Sequence, residues 1–78
     1  MNNSEKRERF EKVASNRVQR IIDTLELLKN CSNRSNYEYT AEDVDLMFHS
    51  IGKALREAKA AYVSELESSD KRGFSFKK

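Results

Sequence analysis

The chain has no proline and no tryptophan, two glycines, one cysteine and one histidine. Each scarcity removes a class of explanation. A single cysteine, Cys31, excludes an internal disulfide. With His49 as the one histidine, a zinc site would need carboxylates or a second chain to complete it. No run of about 18 apolar residues occurs, so no membrane span is expected. The N-terminal MNNSEKRERFEK is charged, with no apolar block behind it, and does not read as a secretory signal. A lone cysteine without such a signal fits a reducing cytoplasm. There is no glycine-rich phosphate loop, and no Ser/His/Asp set beyond the lone His49. The paired carboxylates Glu42/Asp43 and Glu65/Glu67 read as helix caps or solvated charges. The expectation is therefore no catalytic residue, no metal, no cofactor and no enzyme.

What is present is helix-forming. Charged residues make up 36% of the 78 residues and apolar ones 37%. Without proline, that balance describes long helices and not a β-rich or proline-rich chain. The length allows one domain. Below about 70–80 residues a single core rarely supplies more than roughly 3–5 kcal/mol, so oligomerisation or tight helix packing must help.

The first helix is expected from about Ser4, as N-cap, to about Lys29, with acidic Glu5 in its first turn. At about 100° per residue from Phe10, the side chains of Phe10, Ala14, Val18, Ile21, Leu25 and Leu28 fall between about 0° and 80°. Val13 and Ile22 flank that stripe. Glu5–Arg9 and Glu8–Lys12 have the favourable i,i+4 order, each worth roughly 0.2–0.5 kcal/mol. Asn30-Cys31-Ser32-Asn33-Arg34-Ser35-Asn36 then reads as a connection, because Asn and Ser bond nearby backbone in competition with helix. Asn30 or Asn33 is a candidate for the left-handed position that closes the helix.

The restart is the strongest local signal. In Tyr39-Thr40-Ala41-Glu42-Asp43-Val44, Thr40 is the N-cap and Asp43 holds the capping-box position, where Glu or Gln is usual. Tyr39 and Val44 have the spacing of a hydrophobic staple. The second helix is expected to about Glu67. Its stripe is Val44, Met47, Phe48, Ile51, Ala54, Leu55, Ala58, Tyr62 and Leu66, within an arc of about 120°. Gly52 costs that helix roughly 1 kcal/mol relative to Ala, so either a neighbouring backbone needs the space or the site is tolerated.

The expected fold is all-α. Residues 1–68 form an antiparallel two-helix hairpin, with helices at about 4–29 and 41–67 and a loop at about 30–40. Residues 69–78 form a flexible basic tail. Two wide stripes hide only part of each other, so a second hairpin joining to make a homodimeric four-helix bundle is expected. A monomer, or completion by a different protein, is the alternative. Charge is polarised along the chain: residues 1–20 are net +3, residues 21–68 net −4, and residues 69–78 net +3. A hairpin would bring both basic segments to one end.

The candidate binding residues follow from that layout. Lys6, Arg9, Arg17 and Arg20 line one flank of the first stripe, with Lys71, Arg72, Lys77 and Lys78 at the same end of a hairpin. They read either as a phosphate-tracking surface or as a solvated face whose stems cover the core edge. Arg34, Tyr37 and Tyr39 make the loop chemically distinctive, although Tyr39 also serves as the staple. Phe74 and Phe76 in the basic tail either dock on a partner, fold back over the hairpin or stay disordered. Cys31 reads as a small loop or core-end residue, and His49 as a surface group near Asp45. The long helices and the long connection between them match a helix-turn-helix poorly, so DNA binding through a standard recognition helix is not expected.

Arg17 through Leu28, Asn30-Cys31-Ser32-Asn33, Asn36-Tyr37-Glu38-Tyr39-Thr40, Glu42-Asp43-Val44 and the final Phe74/Phe76 carry a resemblance that covers most of the chain. It resembles small helical accessory proteins carried by plasmids and conjugative elements of Gram-positive bacteria. The resemblance implies a mobile-element setting: transfer, replication control or interference with host defence. It brings no functional residues with it. The expected role is a non-enzymatic interaction module that binds itself and a protein or nucleoprotein partner, with no membrane. Sequence-independent nucleic-acid binding and inhibition of a host enzyme are the rivals.

Overall fold

The computed structural model describes residues 3–71. Within them the chain forms two α-helices and no strand: α1, Asn3–Asn30, and α2, Ala41–Lys71. The backbone divides into two units, residues 1–38 and residues 39–78.

In the first unit, α1 has already begun at Asn3, so Ser4 lies inside its first turn and does not cap it. Glu5 keeps its favourable place in that turn, near the positive end of the helix dipole. At the other end Lys29 sits in the last turn, where a cation is favoured. The end of α1 tightens and does not reverse. The backbone N–H groups of Cys31, Ser32 and Asn33 donate to the carbonyls of Leu28, Lys29 and Asn30 at 3.0, 3.0 and 3.4 Å. These are i to i−3 bonds, a common way to satisfy the last carbonyls of a helix. No described residue has a positive φ, so neither Asn30 nor Asn33 takes the left-handed closing position. The tightened bonds remove the need for it.

The connection is held by its own asparagine. The Asn33 carbonyl accepts from the N–H groups of Asn36 and Tyr37 at 3.1 and 3.0 Å. The Asn33 side-chain oxygen accepts from the Ser35 N–H at 2.9 Å. The sequence NCSNRSN thus builds a turn from its own side chains, as short amide residues do.

In the second unit the restart forms as a reciprocal cap. Thr40 N–H donates to Asp43 Oδ2 at 2.8 Å, and Asp43 N–H donates to Thr40 Oγ1 at 3.1 Å. The Thr40 carbonyl accepts the first helical bond, from Val44 N–H at 3.2 Å. Asp is one methylene shorter than the usual Glu, yet it closes the same box. Tyr39 and Val44, the staple positions, are both partly buried. The helix then continues past Glu67 through Ser68, Ser69 and Asp70 to Lys71. These residues are mediocre helix formers, but none carries the penalty of glycine or proline. An established helix therefore runs through them.

No described residue is fully buried. Ala14 and Leu28 in the first unit, and Tyr39, Val44 and Gly52 in the second, are partly covered. All other residues with assigned exposure are open to solvent. Apart from Ala14, Leu28 and Val44, the stripe residues of both helices are open to solvent.

Candidate functional site

The broadest chemical feature of each helix is its apolar face. On α1, Phe10, Val13, Val18, Ile21, Ile22 and Leu25 are exposed. On α2, Met47, Phe48, Ile51, Leu55, Tyr62 and Leu66 are exposed on the expected stripe. Three further apolar side chains lie outside the two stripes. Leu27 and Leu46 are 66% and 67% exposed, and each lies well off its helix's main stripe. Val63 is the third, on the other side of the α2 stripe. Only their angular positions set them apart, because the helical period that marks a stripe passes over them.

Around Val63, the residues Arg56, Lys59, Ala60, Ser64 and Glu67 border a shallow open depression on α2. All six lie on one helix, so this is helix surface and not an enclosed ligand cavity.

The basic flank of α1 has a distinctive electrostatic state. Lys6, Arg9, Arg17 and Arg20 are all exposed. They form two pairs, each within one helical turn, along about 21 Å of helix at about 1.5 Å per residue. The ion pairs of the described residues lie elsewhere: Arg7 Nε meets Glu11 Oε2 at 2.8 Å, and Lys29 Nζ meets Glu26 Oε1 at 3.2 Å. The Arg7 guanidinium also lies 5.8 Å from the centroid of the Phe10 ring, within cation–π range. The expected Glu5–Arg9 and Glu8–Lys12 pairs do not form. Exposed i,i+4 pairs are worth only a few tenths of a kcal/mol, so competing rotamers decide among them. Arg7 gains both a carboxylate and a ring in one position, and Glu11 goes to it. His49 and Asp45 likewise make no ion pair.

The loop candidates are both at the surface. Arg34 and Tyr37 belong to the Asn33-centred turn, and Tyr37 is 52% exposed. Cys31 is exposed in the tightened turn after α1, so it is a loop residue and not a core-end one. Lys71 is the last residue of α2. Arg72, Phe74 and Phe76 lie outside the described residues, as do Lys77 and Lys78.

Among the described residues, no group of three His, Cys, Asp or Glu side chains is placed to hold a metal ion. No described helix is long and apolar enough to cross a membrane. Comparison with family models, curated proteins and solved structures found no match to this chain.

Proposed function

We propose that this protein is a non-enzymatic helical interaction module that becomes a packed protein by associating with itself. One observation carries the reading: every large stripe residue of both helices is solvent-exposed except Leu28 and Val44, which are only partly covered. Helical stability in water comes mainly from packing an amphipathic face, and isolated helices are marginal. Faces this wide call for two neighbours per helix, as in a four-helix bundle of two antiparallel hairpins. Such a bundle leaves the Asn33 turn, with Arg34 and Tyr37, at its end for a protein or nucleoprotein partner. A role in the cytoplasm as an accessory protein of a plasmid or conjugative element fits the sequence resemblance.

Light scattering and circular dichroism at two concentrations about a hundredfold apart test this. Mass and helicity should rise together with concentration. A chain that stays monomeric and fully helical throughout overturns the reading.

A second reading rests on the ion-pair-free flank of Lys6, Arg9, Arg17 and Arg20. Such a row could track a phosphate backbone without sequence preference. It requires duplex or single-strand binding that falls steeply with salt. Absence of binding at about 50 mM salt removes it.

A further inference from the structure

The apolar face of α2 has a finer order than a stripe. Ala41, Val44, Phe48, Ile51, Leu55, Ala58 and Tyr62 recur at alternating spacings of three and four residues. That alternation is the seam of a coiled coil, unbroken over about three heptads. Val44 is partly covered, and the other seam residues are open to solvent. The next seam position is Glu65, which closes the run. On α1 the same count puts Arg7 and Glu11, an ion pair at 2.8 Å, on seam positions. Its uncharged seam is confined to Ala14–Leu28, so α2 carries the longer one.

The residues that edge the α2 seam are matched to their own reversal. One edge carries Met47, Ala54 and Ala61. The other carries Asp45, Gly52 and Lys59. Asp45 and Lys59 are both exposed, and neither enters the ion pairs of the described residues. Two antiparallel copies of a helix bring the same edge of each together in opposite order. Asp45 then faces Lys59 of the second copy, at two equivalent places, with Gly52 facing Gly52 between them. On the other edge Ala54 faces Ala54, and Met47 faces Ala61. The seam accepts this centring, which falls at Lys53. Ile51 stands beside Leu55 of the second copy, Phe48 beside Ala58, and Val44 beside Tyr62. The two largest side chains thus meet smaller ones, which is what dense packing needs.

The remaining charges of α2 tolerate the same arrangement. Asp43 and Glu57 come opposite Ser64 and Ser50 of the second copy, and Glu42 comes opposite Val63. His49 comes opposite Arg56 in the outer ring, where solvent screens both. Lys53 faces away from the seam, and residues past Glu65 overhang the other α2. The close approach of carboxylates is that of Glu65 to Asp43 of the second copy. It falls at the ends of the overlap, beside an N-terminal turn whose dipole favours anions.

Other pairings of α2 with itself do worse. Sliding by a heptad one way sets Phe48 against Glu65. Sliding the other way carries Tyr62 beyond the start of the second α2. Either slide separates Asp45 from Lys59. A parallel pair sets Glu65 against its own copy on the seam, and leaves Asp45 and Lys59 two heptads apart, about 21 Å.

From this match of seam and edge charges we infer that the face of α2 is covered by α2 of a second copy of this chain, antiparallel and centred at Lys53. The inference deepens the self-association reading above, and rests on it, by naming the surface and the direction of the contact.

Two measurements on the full chain test it. In a Cys31→Ser background, single cysteines are placed by Ala54→Cys and by Ala58→Cys, and each chain is treated with a short bis-maleimide. The Ala54→Cys chain should join to its copy, because the two positions face each other. The Ala58→Cys chain should not, because its two thiols lie about ten residues apart along the axis, about 15 Å. The second measurement exchanges charge between chains, followed by sedimentation at low salt. Asp45→Lys alone and Lys59→Asp alone should each dimerise more weakly, on the order of tenfold in Kd, because two exposed pairs turn from attractive to repulsive. Mixing the two chains should restore wild-type strength, since both pairs are then complementary. High salt should remove the differences.

Joining through Ala58→Cys and not through Ala54→Cys shows a parallel pair and overturns the arrangement. No joining at either position, or no recovery on mixing, with the wild type still dimeric, also overturns it and leaves self-association standing. A wild type that never self-associates defeats the underlying reading as well.

Discussion

Replacing Thr40 by alanine removes the hydroxyl that accepts the Asp43 N–H at 3.1 Å, while the 2.8 Å bond from Thr40 N–H to Asp43 survives. Both residues are exposed, so water reaches the orphaned donor. The cost is then that of a lost cap, about 1 kcal/mol, and not the larger penalty of a buried unsatisfied group. Asp43→Asn keeps an acceptor oxygen and loses only the charge at the helix N-terminus, about 0.3–1 kcal/mol. Asp43→Ala loses both, about 1–2 kcal/mol. The expected order is Asp43→Asn mildest, then Thr40→Ala, then Asp43→Ala. Added salt should shrink the Asp43→Asn effect and leave the Thr40→Ala effect largely unchanged, because screening acts on the charge and not on a neutral acceptor. The two bonds also hold each other in place. The Thr40→Ala/Asp43→Ala double variant should therefore cost less than the sum of its parts, by about 0.5 kcal/mol. Urea titration followed by helical circular dichroism reads all of this, at one fixed protein concentration. A loss of 1 kcal/mol should move the midpoint by about 0.5–1 M. If Thr40→Ala leaves the midpoint unmoved, or if Asp43→Asn is as damaging as Asp43→Ala, the reciprocal cap does not stabilise α2 as argued.

Gly52→Ala should raise stability by up to about 1 kcal/mol, because a methyl there meets only the tip of the flexible Arg56 side chain at 3.5 Å. Thermal unfolding checks this, and a loss of stability would mean that another backbone occupies that space in the assembly. Ile21→Asp and Ile51→Asp each place a charge at the middle of an apolar stripe. Both should abolish concentration-dependent mass in light scattering and reduce helicity, since a charge cannot enter a packed seam without a partner. Arg9→Glu/Arg17→Glu should abolish duplex binding at about 50 mM salt if the flank tracks phosphate, and leave it at the wild-type level if it does not. A fluorescence-polarisation titration that shows binding in the wild type and its loss in the variant would favour the phosphate-tracking reading. Removing residues 69–78 should leave self-association unchanged, because no stripe residue is lost, and sedimentation of the shortened chain checks it.

Helix existence, the place of the break and the start of α2 were legible in the residues because each depends on neighbours a few positions away. Apolar spacing marks a helical face, a cluster of Asn and Ser interrupts it, and Thr40 with Asp43 is close enough to close a cap whichever acid is used. The three-dimensional structure decided the matters in which alternatives of nearly equal energy compete. It ended α1 by tightened i to i−3 bonds instead of a left-handed asparagine, drew Arg7 and not Arg9 into an ion pair, and carried α2 through Ser68 and Ser69 to Lys71. Each of those choices turns on a few tenths of a kcal/mol, which side-chain type alone does not resolve but actual atomic positions do.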